Sequence, residues 1–173
     1  MQTGENMQRQ MDRDELAYFY HSVGKAIWHM QYVEQTLGQM LLIMGRDIKP
    51  NSLDPEEAES MLLSVQKKTL GAIINEVVKK SLLPADLENR LEKFNSERRW
   101  LVHKSVIENS DDLYNTHKRA DVFERIDAFT NEAIQLNKDL LVPLDEHIVS
   151  IGLNPTEFAE KAEQEIRALK GFA

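Results

Sequence analysis

The chain contains no cysteine and only 7 glycines and 5 prolines among its 173 residues. Without cysteine, disulfide bonds and thiolate metal sites are excluded. Because turn-forming residues are scarce and the prolines are not regularly spaced, the sequence favours helices over short strands joined by turns. The glycine patterns of phosphate-binding loops and dinucleotide-binding folds are missing as well.

Long apolar runs and an excess of basic charge are also missing. The longest purely apolar run covers residues 40–44, which is too short to cross a bilayer. Residues 1–6 have neither the basic start nor the apolar block of a secretory signal, so we expect a cytoplasmic protein with no membrane partner. The formal net charge is -8, which disfavours general affinity for polyanions. Contact with nucleic acid would therefore need a local basic surface.

Apolar residues recur at intervals of three and four positions along most of the chain, which is the period of an amphipathic helix. The predicted helices cover residues 12–44, 55–80, 85–108, 117 onward and 155–170, with loops at 49–52 and 109–116. Pro143 should break or kink the fourth helix, because a proline ring removes a donor and clashes with the preceding turn. The polar residues 1–11 are expected to form a flexible lead-in. We predict one all-α domain over residues 1–173, an antiparallel bundle of four long helices plus a C-terminal helix at 154–171.

Two charged residues fall in the middle of apolar helix faces. At about 100° per residue, Glu34 lies at the centre of the apolar stripe of the first helix. Arg98 lies at the centre of the stripe of the third helix. A buried guanidinium needs a partner, so we expect Glu34 and Arg98 to form a structural ion pair. The alternative is that a slight rotation of either helix lets its charge reach solvent along the side-chain stem.

The residues that follow Arg98 carry the most specific pattern in the chain. Arg98, four intervening residues and then His103, in an all-helical domain of this size, resemble the motif of the HEPN superfamily of nucleotide-binding helical proteins. Residues 28–42 are similar to the first long helix of that family, with its embedded glutamate. Residues 68–71 are similar to a stretch that some members carry before the motif. The resemblance extends over roughly residues 15 to 140.

The resemblance implies a metal-independent RNA endonuclease that acts as a homodimer, with the motifs of two subunits facing each other and no cofactor. Arg98 and His103 would then be the catalytic residues. A histidine can move a proton to or from a ribose oxygen near neutral pH, and an arginine can neutralise charge on the phosphoryl group. The biological settings implied are toxin–antitoxin systems or phage defence, with RNA and a neutralising antitoxin or other protein as partners.

Further roles follow for the neighbours of the motif. Arg98 would be the phosphate ligand or an anchor of the motif. Arg99 is four residues before His103 and shares its side of a regular helix, so Arg99 is the better phosphate ligand if Glu34 engages Arg98. Lys104 is expected to bind phosphate as well. Trp100 and Ile107 are expected to contact the second subunit. The sequence departs from the family pattern in two places. Arg99 replaces the common asparagine, and Ser105 stands where some toxin members have a tyrosine whose modification silences them.

Two other functions compete with this one. A non-catalytic helical dimer that serves as an interaction or nucleotide-binding scaffold is the main alternative, favoured by the acidic charge and the imperfect motif. In that case His103 is an ordinary packing residue. A carboxylate-bridged di-metal bundle is disfavoured, because such sites use Glu-x-x-His pairs and the chain contains none. We therefore expect no metal site.

Overall fold

The computed structural model describes residues 8–46, 48 and 52–171, except for the side chain of Phe158. Every regular element in this part of the chain is helical, which confirms the all-α class. The elements are α1 (Arg13–Ile43), α2 (Pro55–Gln66), α3 (Leu70–Lys79), α4 (Ala85–Arg99), a π-helical turn (Trp100–Lys104), α5 (Ser105–Asn109), a 3-10 turn (Asp112–Tyr114), α6 (Thr116–Ser150) and α7 (Pro155–Leu169). Within the same ranges, no helix combines the length and apolar character needed to span a membrane.

The helix starts follow from local side-chain chemistry. The carboxylate of Asp12 accepts hydrogen bonds from the first backbone N–H groups of α1, and Glu15 accepts one back from the Asp12 backbone. Asp54 caps α2 in front of Pro55. Proline has no backbone N–H, and at the first position of a helix that group would have no partner within the helix. Asn115 accepts from the first N–H groups of α6. These capping residues explain why the predicted boundaries lie close to those observed.

Two predicted helices differ from the structure. The predicted helix 55–80 is divided. α2 ends at Gln66, and α3 begins at Leu70 after Thr69, whose hydroxyl caps it by accepting from the backbone N–H of Ala72. Of the predicted break or kink at Pro143, the break does not occur, since α6 runs continuously from Thr116 to Ser150. The buried residues Leu140 and Leu144 flank the proline, and their packing holds the helix together across the missing hydrogen bond.

The core lies between the two longest helices and the shorter ones that cover them. α1 packs along α6, while α3 packs on both α1 and α4, and α4 also packs on α6. Between α4 and α6, the rings of Phe94 and Phe129 stack with centroids 4.8 Å apart. The fully buried side chains come from α1, α3, α4 and α6. By contrast, the described side chains of α7 are exposed or half-buried.

Residues 8–11 belong to the folded structure, contrary to the predicted flexible lead-in, of which residues 1–7 lie outside the described part. The backbone N–H of Arg9 donates to the carbonyl of Tyr114. The guanidinium of Arg9 donates to both carboxylate oxygens of Glu15, each at 2.6 Å. Glu15 also lies 3.2 Å from Nη2 of Arg119, which is only 2% exposed. One carboxylate thus links the lead-in, α1 and α6.

The Glu15 contacts predict a specific acid dependence of stability. The pKa of Glu15 is lowered from 4.5 to about 2, first by the hydrogen bonds from Arg9 and then by the backbone N–H of Asp12. A depressed native pKa stabilises the fold above pH 4.5, and this stabilisation is lost as the pH falls towards 2. We therefore expect Glu15→Gln to lower the melting temperature at pH 7 and to flatten its decline in acid.

The measurement is thermal unfolding followed by circular dichroism between pH 2 and 7. Asp14→Asn is the matched control, because Asp14 lies in the same helical turn and makes no salt bridge among the described residues. An equal effect of both substitutions on the acid dependence would contradict the role given to Glu15.

Candidate functional site

The helix that carries the Arg98–His103 motif changes its winding inside the motif. Residues Trp100–Lys104 form a π-helical turn between α4 and α5, closed by the backbone N–H of Ser105, which donates to the carbonyl of Trp100. The hydroxyl of Ser105 also donates to the carbonyl of Leu101 at 2.8 Å. Single π-turns within α-helices are rare and occur often at functional sites.

The π-turn changes which residues share a side of the helix. Its hydrogen bond closes over five residues instead of four, so each residue advances the backbone by less than 100°. The angle between Arg98 and His103 is therefore smaller than the roughly 140° of a regular helix.

His103 lies at the surface, on the rim of a cavity. The side chain is exposed. The cavity has a volume of about 510 Å³ and is mostly apolar. α1 provides one wall, the π-turn and α5 provide the other, and Val122 and Ile126 of α6 form the floor. The imidazole thus stands at the border between solvent and a concave apolar space.

Arg98 is half-buried and does not pair with Glu34. Its Nη2 donates to the side-chain oxygen of Asn95 at 3.3 Å, while its Nε is buried without a partner. Nη2 also lies close to Gly71 at the start of α3, and the Cβ of an alanine at position 71 would be 3.7 Å from it. No salt bridge joins Arg98 to Glu34 among the described residues. The predicted structural ion pair is therefore not formed.

The position of α3 explains this difference. α3 packs on both α1 and α4 and so lies between the helices that carry the two charges. Glu34 lines a separate cleft of about 470 Å³, together with Lys68 and Ile73 near the start of α3. The apolar pattern of residues 55–80 predicts one helix, whereas the structure has two, and the second of them, α3, separates Glu34 from Arg98.

Arg99 and Lys104 are exposed, and each makes only one long polar contact within the described residues. Nε of Arg99 donates to the backbone carbonyl of Asn95 at 3.4 Å, and neither Arg98 nor Arg99 forms a salt bridge within the described ranges. Nζ of Lys104 lies 3.8 Å from the carboxylate of Glu108, an exposed pair with little stabilising effect. The motif therefore presents cationic groups that remain available to an anion.

Trp100 is buried inside the subunit, contrary to its predicted role as a dimer contact. It is 3% exposed, and its indole Nε1 donates to Oδ1 of Asn109 at 3.0 Å. The guanidinium of Arg125 lies 3.7 Å from the indole ring centroid and pairs with both oxygens of Glu97. Ile107, by contrast, is 82% exposed and can reach a second copy.

Next to Trp100, the side chains of Asn109, Asp112 and Lys118 are linked by hydrogen bonds that the sequence did not predict. Nδ2 of Asn109 donates to Asp112 at 2.9 Å, and Nζ of Lys118 donates to the same carboxylate at 3.0 Å. These hydrogen bonds, that of Asn109 first, lower the pKa of Asp112. The only available sequence signal was the asparagine and aspartate content of the predicted loop 109–116. In the described part of the chain, histidine and carboxylate side chains form no group of three or more that could hold a metal ion.

The π-turn predicts an asymmetry between two deletions. A π-turn holds one residue more than an α-helical turn, so deleting Val102 should restore a regular helix and leave the flanking residues in register. Deleting Ser96 from regular α4 should instead rotate Trp100 and Leu101 out of the core. The second deletion should therefore cost several kcal/mol more than the first.

Urea unfolding of the two deletion proteins measures this difference. Val102 and Ser96 are both exposed, so their side chains contribute little to the comparison. Equal loss of stability in the two proteins would show that the extra residue is not absorbed by the turn.

Comparison with known proteins finds no match for this chain among protein-family models, curated proteins or solved structures. Nothing in these comparisons bears on the resemblance of the Arg98–His103 segment to the HEPN motif, which stays a sequence-based prediction.

Proposed function

We propose that the chain is a metal-independent RNA endonuclease of the HEPN type that acts as a homodimer. The observation that supports this proposal most is the π-turn at Trp100–Lys104. In and next to this turn, His103, Arg99 and Lys104 are exposed, with His103 at the rim of a cavity, and Arg98 is half-buried. A proton-transfer group and cationic groups are thereby collected on one short segment.

The proposed reaction uses these groups without a metal. The neutral imidazole of His103 takes the proton of a ribose 2′-hydroxyl, whose oxygen then attacks the adjacent phosphorus. The bond from phosphorus to the 5′-oxygen breaks, and that oxygen receives a proton from the protonated imidazole of the partner's His103, which ends neutral as the first imidazole ends protonated. The products are a 2′,3′-cyclic phosphate and a free 5′-hydroxyl, so atoms and charge balance.

The arginines supply the electrostatic part of the proposal. Arg99 is exposed and has no carboxylate partner among the described residues, so it can take a phosphate oxygen as the negative charge develops. Lys104 adds a second cation. Arg98 is more enclosed, and its unpartnered Nε leaves one donor to be satisfied by a phosphate or by a rearrangement on RNA binding.

The dimer proposal rests on apolar side chains next to the motif. Val102, Val106 and Ile107 are all exposed, and such a cluster on the surface of a helix favours a protein contact. A second copy on this face would bring two motifs together, as the proposed reaction requires. The antiparallel arrangement of the bundle, a cytoplasmic location, and a toxin–antitoxin or phage-defence setting with a neutralising partner belong to the same proposal.

Ile107 provides the test of the dimer. We expect Ile107→Asp to shift the protein towards monomer, because a charge would replace an apolar contact between subunits, while the subunit stays folded. Trp100→Leu should instead destabilise the subunit itself by about 3 kcal/mol, through loss of buried contacts. Sedimentation velocity over a concentration range, with circular dichroism as the folding check, separates the two effects. An Ile107→Asp protein that self-associates like the wild type rules out this interface.

The His103 side chain provides the test of catalysis. Purified wild type should cleave mixed cellular RNA in the presence of a chelator, and His103→Ala should reduce the rate at least about 100-fold, because general acid–base catalysis is lost. His117→Ala is the control, since His117 is an exposed histidine on another element.

Three results would count against the nuclease. They are loss of cleavage on chelation, cleavage by His103→Ala at the wild-type rate, and absence of cleavage by an intact wild-type dimer. The last of these would favour the non-catalytic scaffold, which the exposed apolar side chains also support.

A further inference from the structure

The cavity beside His103 has features that the proposed reaction does not yet use. Phe19, Tyr20 and Val23 of α1 form one side, and Tyr114 of the 3-10 turn stands at another part of the rim. Tyr20 is 65% exposed and Tyr114 is half exposed. Two aromatic faces thus border the same concave space as the imidazole. Neither phenol has a hydrogen-bond partner among the described residues.

We infer that this cavity holds the nucleobase of the nucleotide whose 2′-hydroxyl His103 activates. This inference rests on the proposed function. A general base must lie about 3 Å from the oxygen it deprotonates, so the ribose must touch the imidazole. The base is bonded to that same ribose and therefore lies within one sugar length of His103. The cavity is the concave apolar space within that distance.

The cavity walls suit a base better than a sugar or a phosphate. Nucleobases stack on exposed aromatic faces such as those of Tyr20 and Tyr114. The hydroxyl of Ser110 also lines the cavity and makes no side-chain hydrogen bond within the described ranges, so it can meet a polar base edge. The phosphate would remain outside, where the cationic side chains of Arg99 and Lys104 are exposed.

A nucleobase in this cavity also defines the class of RNA that the protein can bind. A base can enter the cavity only when it is unpaired and turned out of its stack, so the substrate is single-stranded RNA rather than a duplex. A second copy of the chain is the competing occupant. Of the three apolar side chains proposed for the dimer contact, Val102 and Val106 line the cavity and Ile107 does not, so a second copy would cover only the wall formed by the π-turn and α5. The wall formed by Phe19, Tyr20 and Val23 of α1 carries none of these contacts and stays available to the base.

The test measures binding separately from cleavage. The probe is a fluorescein-labelled single-stranded RNA with 2′-fluoro sugars, which lacks the attacking hydroxyl, and its binding is followed by fluorescence anisotropy. Tyr20→Leu and Tyr114→Leu should each weaken binding about tenfold, because one base–aromatic stack is lost. Tyr20→Phe should bind like the wild type. Trp28→Leu is the matched control, because Trp28 lies on the same helix, is 61% exposed and does not line the cavity.

The salt dependence gives a second readout. The tyrosine variants should keep the wild-type slope of affinity against salt, whereas Arg99→Gln should reduce this slope by about one phosphate contact. A purely structural effect of the tyrosine variants would appear in their thermal unfolding, which we expect to be unchanged.

The outcomes separate the two proposals. If the wild type binds and cleaves RNA while both leucine variants bind like it, the cavity inference is wrong and the nuclease stands. If the leucine variants lose affinity but the wild type cleaves nothing, the cavity binds bases and the nuclease is wrong. If the wild type binds no probe, or if Tyr20→Leu changes only self-association, the cavity inference fails.

Discussion

The indole of Trp100 is the contact on which the geometry of the candidate site depends. Arg125 of α6 covers its ring, and Asn109 at the end of α5 accepts its N–H. The first residue of the π-turn is therefore fixed both to α6 and to the far end of the segment that follows. The turn cannot rotate without breaking a buried contact. His103 is exposed three residues later, and its side chain makes no hydrogen bond among the described residues, so its position follows from this anchor.

The basic residues of α4 differ in whether they pair with a carboxylate. Between α4 and α6, Arg90 pairs with Glu132 and Asp139, and Arg125 pairs with Glu97. Much of the charge at this helix interface is thus neutralised within the structure. Arg98 and Arg99 lie on the same helix as Arg90 but pair with no carboxylate in the described part of the chain. The net charge of -8 is a sum over the whole chain, and these two arginines are cations that no salt bridge within the described residues neutralises.

The sequence was sufficient for those parts of the fold that depend on local chemistry. The helical class follows from apolar periodicity, and the starts of α1, α2 and α6 follow from Asp12, Asp54 and Asn115, whose side chains cap the first turn. The division between α2 and α3 could not be read in the same way, because Thr69 fits an apolar stripe as well as it fits a cap. Because this division was not predicted, Glu34 was wrongly paired with Arg98. Whether the two residues can meet depends on which helix lies between them.

A helical wheel could not predict the π-turn, for a different reason. A wheel assumes one constant angle per residue, and a single change of winding alters the side on which every later residue lies. For an arginine and a histidine with four residues between them, a regular helix places the two side chains roughly 140° apart. The backbone at Trp100–Lys104 closes its hydrogen bond over five residues, which makes this angle smaller. The relation between Arg98 and His103 is therefore set by the buried tryptophan and the winding it anchors, as much as by the two residues of the motif themselves.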